Sequence, residues 1–198
     1  IDEEQGQVIV SDEAEFSGNQ LPTFQANLTT SLTLFRNLRI HALLERKSGY
    51  HVLNLNQEFR DRSSRSTASV NLPAGEGGYS ETDRLRRLGP YVSELTGQPV
   101  GVANVKEPYL QPGDHVRFRE LTATLSLPPS LVSRVGASGA SITVGGRNLG
   151  LWFSDYEGDD PDVLGTGPQA TGLNQFFNAD VFTTPPARRW VFRLNLQY

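Results

Sequence analysis

The stretch DYEGDDPD, residues 155–162, concentrates carboxylate side chains that could bind a metal ion. Its acidic residues are Asp155, Glu157, Asp159, Asp160 and Asp162. Carboxylate oxygens are the ligands that Ca²⁺ prefers, but this spacing does not follow that of an EF-hand loop. The same stretch also suits a turn after a strand, with Gly158 in an unusual backbone conformation and Pro161 ending the strand pairing. Calcium is therefore the one cofactor that the sequence suggests, and a turn without a metal is the alternative.

Side chains that could catalyse a reaction lack the spacing that catalysis requires. His41, His51 and His115 are scattered and do not form a helical HExxH pattern. Ser141 and Ser154 lack the sequence context of a nucleophile elbow. The chain contains no cysteine, which excludes disulfides, thiol nucleophiles and cysteine zinc sites. We therefore expect a protein that is not an enzyme.

The charge balance and the length of the apolar runs exclude further classes of protein. Eighteen basic residues against 22 acidic ones give a net charge of -4, which offers no basic field to a nucleic acid. No apolar run reaches the roughly 18 residues that a membrane helix needs. The chain begins at Ile1 and contains no methionine, so we expect a processed product or part of a longer polypeptide.

Apolar and polar side chains alternate along several stretches, which is the pattern of strands with one apolar face. At the C-terminus the apolar members are Trp190, Phe192, Leu194, Leu196 and Tyr198. The same alternation predicts strands at about 23–35, 38–50, 115–127, 140–152 and 188–198. Near Arg119 and Glu120 the alternation slips by one residue, which predicts a β-bulge. The sequence therefore predicts an all-β protein with antiparallel strands.

The lengths of these strands and of their connections bear on what covers the apolar face. Such a face packs on a second sheet in a soluble β-sandwich, and on lipid in an outer-membrane barrel. A tilted membrane strand needs about 9 to 11 residues, whereas globular strands typically have about 5 to 6. The connections alternate between short ones, at 35–37 and 128–138, and long ones, at 51–114 and 151–186. This asymmetry is typical of barrels with short periplasmic turns and long extracellular loops.

The first long connection contains the stretch SETDRLRRL, which predicts a short helix. Ser80 can cap this helix, and Asp83 follows three residues later, as in a capping box. Its basic residues could form a solvated helix face, or they could contact a ligand or a partner. A connection this long is usually a functional loop, a lid or a flexible segment.

Four stretches, in order along the chain, resemble the C-terminal end of SusC/RagA-type TonB-linked outer-membrane receptors. In that family a late barrel strand opens with Gly-Asn-x-x-Pro, and the next is an aromatic and basic strand that ends in Leu-Pro. An Asn-Leu strand then leads into Tyr-x-Gly-x-Asp-Pro, and the last strand begins at Pro-x-Arg and ends on an aromatic residue. The matching residues are Gly18, Asn19 and Pro22; Phe118, Arg119, Leu121, Leu127 and Pro128; Asn148, Leu149, Tyr156, Gly158, Asp160 and Pro161; and Pro186, Arg188 and Tyr198.

This resemblance implies an antiparallel transmembrane β-barrel segment, the last five strands of a larger barrel, with long extracellular loops. The plug domain, through which such receptors engage the TonB system, would lie outside residues 1–198. The implied function is import of an oligosaccharide or a peptide across the outer membrane of a Gram-negative bacterium. The implied partners are a SusD-like surface lipoprotein, outer-membrane lipid and the barrel assembly machinery, which would read Tyr198 as a signal. A soluble β-sandwich that binds carbohydrate or another partner is the alternative.

The resemblance also suggests roles for polar and aromatic side chains. We expect the barrel lumen to be lined by Arg39, His41, Glu45, Arg189 and Arg193. These residues could contact the plug, or they could be solvated barrel wall. We expect ligand or partner contacts from Tyr79, Arg84, Arg87, Trp152 and Tyr156. The family's usual Trp and Asn-Pro elements are not recognisable between residues 51 and 114, so the ligand stays unassigned.

Overall fold

One long antiparallel sheet and two short sheets contain the strands of this chain. The computed structural model describes residues 1–2, 4–13, 15–64, 67–101, 104–162, 179–181 and 183–198. Its strands are β1 (Val8–Val10), β2 (Phe24–Leu34), β3 (Leu38–Ser48), β4 (His51–Asn54), β5 (Tyr91–Ser93), β6 (Pro99–Val100), β7 (Leu110–Pro112), β8 (His115–Ser126), β9 (Gly139–Trp152), β10 (Ala179–Asp180) and β11 (Arg189–Gln197). Its helices are α1 (Leu55–Glu58), α2 (Ala68–Asn71), α3 (Glu81–Leu88) and α4 (Pro129–Val132), with a π-helix at Phe59–Ser64 and 3₁₀ turns at Glu107–Tyr109 and Ser133–Val135. No helix in the described part of the chain combines the length and the apolar character that a membrane crossing requires.

The long sheet has five strands in the order β11-β9-β8-β3-β2, and all neighbours are antiparallel. We call the part of the chain that forms it, Pro22–Gly49, Asp114–Asp155 and Pro185–Tyr198, the sheet unit. The bounds of these strands differ from the predicted bounds by no more than two residues. Phe35 and Arg36, both with positive φ, form the tight turn between β2 and β3.

The register of the long sheet separates its side chains into two faces. One row of opposite residues across the five strands consists of Leu32, Ile40, Ala123, Val144 and Phe192. The adjacent row contains the next residue in space on each strand, and it consists of Thr33, Arg39, Thr124, Thr143 and Arg193. Successive side chains of a strand point to opposite sides of a sheet. We call the side of the first row the apolar face and the side of the second row the polar face.

The apolar face of the sheet is open to solvent. Leu28, Trp190 and Phe192 are 65%, 64% and 77% exposed. The described residues therefore do not form a second layer that covers this face. Extended exposed apolar patches mark surfaces that contact lipid or another protein, and several large apolar side chains of this face are exposed.

A β-bulge keeps the two faces consistent along β8, which confirms the prediction from the phase slip. Phe118 and Glu120 oppose consecutive residues of β3, so that Arg119 has no residue opposite it on that strand. The register with β9 also shifts between Phe118 and Glu120. The extra residue corrects the alternation. As a result, Phe118 and Leu121 both lie on the apolar face, although they are three positions apart.

The remaining described residues form a second unit, which we call the loop unit: Ile1–Leu21, Tyr50–Gly113 and Tyr156–Thr184. It contains two three-stranded sheets, β1-β5-β6 and β10-β4-β7. Its buried apolar side chains are Leu53, Leu55, Tyr109 and Ala179 in one cluster and Tyr50, Val52 and Tyr156 in another. The sequence predicts long loops for most of this region, but the structure shows short strands and helices there. The reason is that its apolar runs, such as VLNL at 52–55, are too short to display a period.

Helix α3 begins as the sequence predicts. The Ser80 hydroxyl accepts a hydrogen bond from the Asp83 backbone N–H at 3.1 Å and donates one to the Asp83 carboxylate at 2.6 Å. This arrangement satisfies one of the free N–H groups at the start of the helix. Gly89, with a φ of +77°, ends the helix. Positive φ at this position is common in glycine because glycine has no Cβ.

Candidate functional sites

Asp61 lies at the centre of a buried polar cluster in the loop unit. It belongs to the π-helix and is fully shielded from solvent. Its carboxylate accepts hydrogen bonds from Gln57 Nε2, the Thr67 hydroxyl and the Tyr79 hydroxyl, each at 2.9 Å. The Tyr109 hydroxyl donates a further bond at 3.3 Å. A buried carboxylate is tolerated when its oxygens are satisfied in this way.

Two arginines pack against tyrosine rings around this carboxylate. The Arg62 guanidinium lies 4.8 Å from the centre of the Tyr109 ring and 5.5 Å from that of Tyr91. The Arg87 guanidinium lies 4.7 Å from the centre of the Tyr79 ring and 5.5 Å from that of Tyr109. Cations over aromatic faces are attracted by the ring quadrupole, by about 2 kcal/mol where water is excluded. These contacts hold both guanidinium groups in fixed positions.

Ion pairs complete the cluster. Glu58 is buried and lies 3.1 Å from Arg62 Nη1 and 2.6 Å from Lys106 Nζ. Arg87 Nη1 lies 3.8 Å from the Asp61 carboxylate. Each buried carboxylate is therefore accompanied by at least one cation, which offsets the free energy of desolvation.

The tyrosine hydroxyls of the cluster are held in the protonated form. Burial raises the pKa of Tyr79 to about 12; its hydrogen bond to Asp61 also raises the pKa, and the charge of Arg87 opposes the shift. Burial also raises the pKa of Tyr109, and the negative charge of Asp61 adds to this effect. Both hydroxyls are thus donors at neutral pH, as their hydrogen bonds to Asp61 require.

Arg87 also contacts the acidic stretch that the sequence singles out. Its Nη2 donates to the two carboxylate oxygens of Glu157 at 2.9 and 3.2 Å. Gln111 Nε2 donates to the same carboxylate at 2.8 Å, and Gln111 Oε1 accepts from the Glu157 backbone N–H at 3.1 Å. The structure therefore brings together Tyr79 and Arg87, predicted to contact a ligand or partner, with Glu157, predicted to bind a cation.

Two other predicted contact residues, Arg84 and Trp152, make contacts of a different kind. Arg84 donates from Nη1 to the backbone carbonyl of Val70 at 2.9 Å, within the loop unit. Trp152 is the last residue of β9 in the sheet unit, and its ring stacks on Phe118 with a centroid distance of 6.0 Å. The structure therefore places Trp152 on the apolar face of the sheet.

Tyr156, also predicted to contact a ligand or partner, is buried beside a polar pocket of the loop unit. Its hydroxyl donates to Asp180 Oδ2 at 2.8 Å, and burial raises its pKa, with Asp180 adding to the shift. Asn56 and Thr183 donate to Asp180 Oδ1 at 2.8 and 2.7 Å. The pocket has a volume of about 280 Å³ and is lined by Asn54, Asn56, Arg60, Gly158, Asp159 and Asp180. This mixture of donors and acceptors suits hydroxyl or amide groups of a ligand.

The acidic stretch forms a turn in the structure. Asp160 is buried, and its Oδ1 accepts a hydrogen bond from the Asp162 backbone N–H at 2.9 Å, as in an Asx-turn. Asp155 and Asp159 are exposed. Within the ranges that the structure describes, no three carboxylate or imidazole groups converge as a metal site requires. Cation binding by this stretch stays a prediction.

The polar face of the sheet unit carries the side chains predicted to line a lumen. Arg39, Arg189 and Arg193 are exposed there. His41 Nδ1 lies 3.2 Å from the Ser31 hydroxyl on the neighbouring strand. Glu45 is buried among basic side chains of the same face. All five residues share one face, and the lumen itself stays a prediction.

The role of Tyr198 as a signal for barrel assembly also stays a prediction. Tyr198 follows β11 and is largely exposed.

Sequence reasoning missed Asp61, Arg62 and Tyr109, which connect the polar cluster. Within EFRDR, residues 58–62, opposite charges at positions i and i+4 are the pattern of a helical ion pair and could have indicated the bond between Glu58 and Arg62. No local pattern links Asp61 to Tyr109, because the two residues are 48 positions apart.

Comparison with known proteins shows what this chain is similar to. No family model matches it. TonB-dependent receptor P3 of Formosa agariphila is 25% identical to it over 182 residues. This match covers 91% of the chain and 17% of the receptor. The chain therefore spans less than a fifth of the length of this curated relative.

Solved structures of RagAB have a similar fold. The RagAB peptide importer in its open-open state matches with a TM-score of 0.59 and 16% identity, over 89% of this chain and 17% of that one. A structure of the RagAB peptide transporter matches with a TM-score of 0.50 and 18% identity, over 81% of this chain and 16% of that one. The structural likeness shows the fold. Together with the curated relative, it confirms the resemblance to SusC/RagA-type receptors that the motifs indicate.

Proposed function

We propose that this chain is part of a TonB-dependent importer of the SusC/RagA kind in the outer membrane of a Gram-negative bacterium. The sheet unit supplies five strands of its barrel wall, with lipid on the apolar face and the lumen on the polar face. The loop unit lies on the extracellular side and borders the space where the nutrient binds. A plug domain outside residues 1–198 couples import to the TonB system.

The exposed apolar face is the observation that carries this proposal. Its exposed members include Phe24, Leu28, Leu32, Leu121, Leu125, Ile142, Val144, Trp152, Trp190, Phe192, Leu194 and Leu196. Leaving such surface in water costs about 25 cal/mol per Å². Lipid removes this penalty, and strands of 9 to 14 residues are long enough for a tilted crossing.

The two edge strands of the sheet support a larger assembly. On their outer sides, β2 and β11 pair with no other strand of the described chain. In lipid each unsatisfied backbone group costs several kcal/mol, so a membrane sheet must close on itself. Further strands of the importer therefore pair with β2 and β11.

A soluble β-sandwich, the alternative function, requires the apolar face to be packed. In the described residues this face is exposed, and the sheet lacks an inner layer opposite it. The relatives also bear the names of a receptor and of importers, which fits a protein without catalytic activity. The exposed face and these names support the importer over the sandwich.

The nutrient is an oligosaccharide or a peptide. The RagAB structures are those of a peptide importer. The polar pocket beside Asp180 offers hydrogen-bond partners to the hydroxyl groups of a sugar as well as to the amide groups of a peptide.

A SusD-like surface lipoprotein docks on the loop unit, where Tyr79 and Arg87 lie. Lipid and the barrel assembly machinery are the remaining partners, the latter through Tyr198.

Fractionation and uptake test the proposal on the complete polypeptide that contains this chain. We expect the protein in the outer-membrane fraction, with a gel mobility that changes on heating, as for folded barrels. We expect uptake of a fluorescent oligosaccharide or peptide that disappears when TonB is deleted. A protein that is soluble and monomeric without detergent, with no heat-modifiable mobility, contradicts the proposal.

A further inference from the structure

The polar face of the sheet unit carries more positive charge than its own acidic residues neutralise. Glu45 lies 2.6 Å from Arg119 and 3.2 Å from Lys47. Glu120 lies 3.0 Å from Arg147. The basic residues of this face that form no ion pair with any described residue are Arg39, Arg189 and Arg193. The face therefore has a local excess of positive charge, although the whole chain is acidic.

Two of these arginines flank a pair of threonine hydroxyls in one row of the sheet. Arg39 is opposite Thr124, and Thr124 is opposite Thr143. Thr143 is in turn opposite Arg193. The two hydroxyls lie 2.9 Å apart. Because neighbouring strands are about 4.8 Å apart, the backbones of the two arginines are separated by about 14 Å. One arginine therefore stands on each side of the hydroxyl pair.

A depression of about 240 Å³ lies in the polar face at this row. Its wall includes Glu120, Thr122, Thr124, Thr143, Arg147 and Arg193, and Glu120 is paired there with Arg147. Gly145 also lines it, and a Cβ at this position would lie 2.7 Å from Thr122 Cγ2. Glycine therefore allows Thr122 to pack close to the β9 backbone. Because Glu120 is paired with Arg147, the depression offers the threonine hydroxyls and the Arg193 guanidinium group to a ligand. Arg39 is opposite the wall residue Thr124 on the neighbouring strand.

We infer that this depression binds a carboxylate or sulfate group of an acidic oligosaccharide as it passes through the importer, an inference that rests on the proposed function. The planar guanidinium group offers two parallel donors, which match the oxygens of such an anion. Threonine hydroxyls both donate and accept, as the hydroxyl groups of a sugar do. Three of them beside Arg193 favour an acidic sugar over an acidic peptide, whose side chains offer no hydroxyl groups of this kind.

Isothermal titration of the complete importer in detergent tests the site. The probes are hexagalacturonate, a heparin hexasaccharide, neutral maltohexaose and the acidic peptide hexaglutamate. We expect an acidic oligosaccharide to bind more tightly than maltohexaose. The double substitution Arg39→Gln/Arg193→Gln should weaken that binding about tenfold, since it removes both guanidinium groups that flank the threonine pair. It should also reduce the dependence of the affinity on salt.

The control is Arg134→Gln, which removes the same charge from an exposed position between β8 and β9. It should leave the affinity within about twofold of the original value, as expected for an exposed charge that does not line the depression. The substitution Arg39→Lys/Arg193→Lys keeps the charge and loses the planar fork, so we expect an intermediate affinity. Heat-modifiable mobility of each variant establishes that it has folded.

Two results overturn the inference. The first is that neither acidic oligosaccharide binds, or that the glutamine variant binds it as tightly as the unmodified protein. The second is that hexaglutamate binds more tightly than both acidic oligosaccharides, which assigns the site to an acidic protein segment. Binding in detergent requires neither TonB nor transport, so a failed uptake experiment contradicts the proposed function and leaves this measurement interpretable.

Discussion

Arg87 and Glu157 are 70 residues apart in the sequence, and their side chains form an ion pair of 2.9 Å. Arg87 belongs to helix α3, whereas Glu157 belongs to the segment that follows β9. The same guanidinium group lies 3.8 Å from the buried carboxylate of Asp61. One side chain therefore connects the buried charges of the loop unit to its acidic surface stretch.

Replacing Arg87 by alanine should destabilise the loop unit by about 2 kcal/mol, because Asp61 stays buried with one cation fewer. Hydrogen exchange in residues 79–88 and 107–112 should become faster. The control is Arg86→Ala, since Arg86 pairs with Glu107 on the surface, where an ion pair contributes little. Equal effects of the two substitutions would contradict the role of Arg87.

The stability of the loop unit should fall at high pH as Tyr79 ionises. Its pKa is about 12 in the folded protein, and an unperturbed tyrosine has a pKa of about 10. Because folding raises this pKa, the contribution of the protonated hydroxyl is complete below pH about 10 and is lost as the pH rises towards about 12. The difference in ultraviolet tyrosinate absorbance between the original protein and Tyr79→Phe isolates this titration. A difference that titrates near pH 10 would contradict the burial of Tyr79.

Charge should be tolerated on the polar face of β11 and not on its apolar face. Leu194 and Asn195 are neighbours with side chains on opposite faces. If the apolar face contacts lipid, as proposed, Leu194→Arg should cost about 2 to 4 kcal/mol near the middle of the bilayer, whereas Asn195→Arg would place its charge on the polar face. The amount of heat-modifiable protein in the outer membrane measures this difference. If both variants assemble equally well, lipid does not cover the apolar face.

Gly18, part of the Gly-Asn-x-x-Pro motif, should not tolerate alanine. Its φ is +131°, and a Cβ there would collide with the imidazole ring of His51. We expect Gly18→Ala to destabilise the loop unit by about 1 to 3 kcal/mol, through backbone strain and steric overlap. Gly101→Ala is the matched control, because a Cβ at Gly101 would lie 3.7 Å from its nearest neighbour, Asn104 Nδ2. Limited proteolysis of the two variants should show the difference, and similar cleavage would contradict it.

The long sheet could be predicted from the sequence because its structure follows from local periodicity. Alternation over nine or more residues determines each strand and its two faces, as for Trp190 and Phe192 in β11. The bulge at Arg119 and the cap at Ser80 were predicted for the same reason, since each depends on only a few neighbouring residues. In the long sheet every strand then pairs with the sheet strand that precedes it and the one that follows it in the chain, which is the simplest order.

The loop unit could not be predicted in this way. Its strands have two to four residues, so they show no period. Its polar cluster joins Asp61 to Tyr109 and Arg87 to Glu157 over separations of 48 and 70 residues. Such pairs depend on the complete fold, and single-sequence spacing carries no information about them. For Arg87 the sequence left a solvated helix face as one interpretation, and the structure shows contacts with two carboxylates and two tyrosine rings instead.

The bulge in β8 acts as a one-residue phase correction, and this makes the strand unequally sensitive to deletions. Removing Arg119 would leave a regular strand in which Phe118 and Leu121 still share a side, so the principal loss would be a guanidinium partner for Glu45. Ala123 lies in the regular part of the strand. Its removal would shift the register by one residue on one side of the gap, and would place threonines on the apolar face or leucines on the polar face. Deletion of one residue can thus preserve the two faces of the strand at position 119 and disrupt them at position 123.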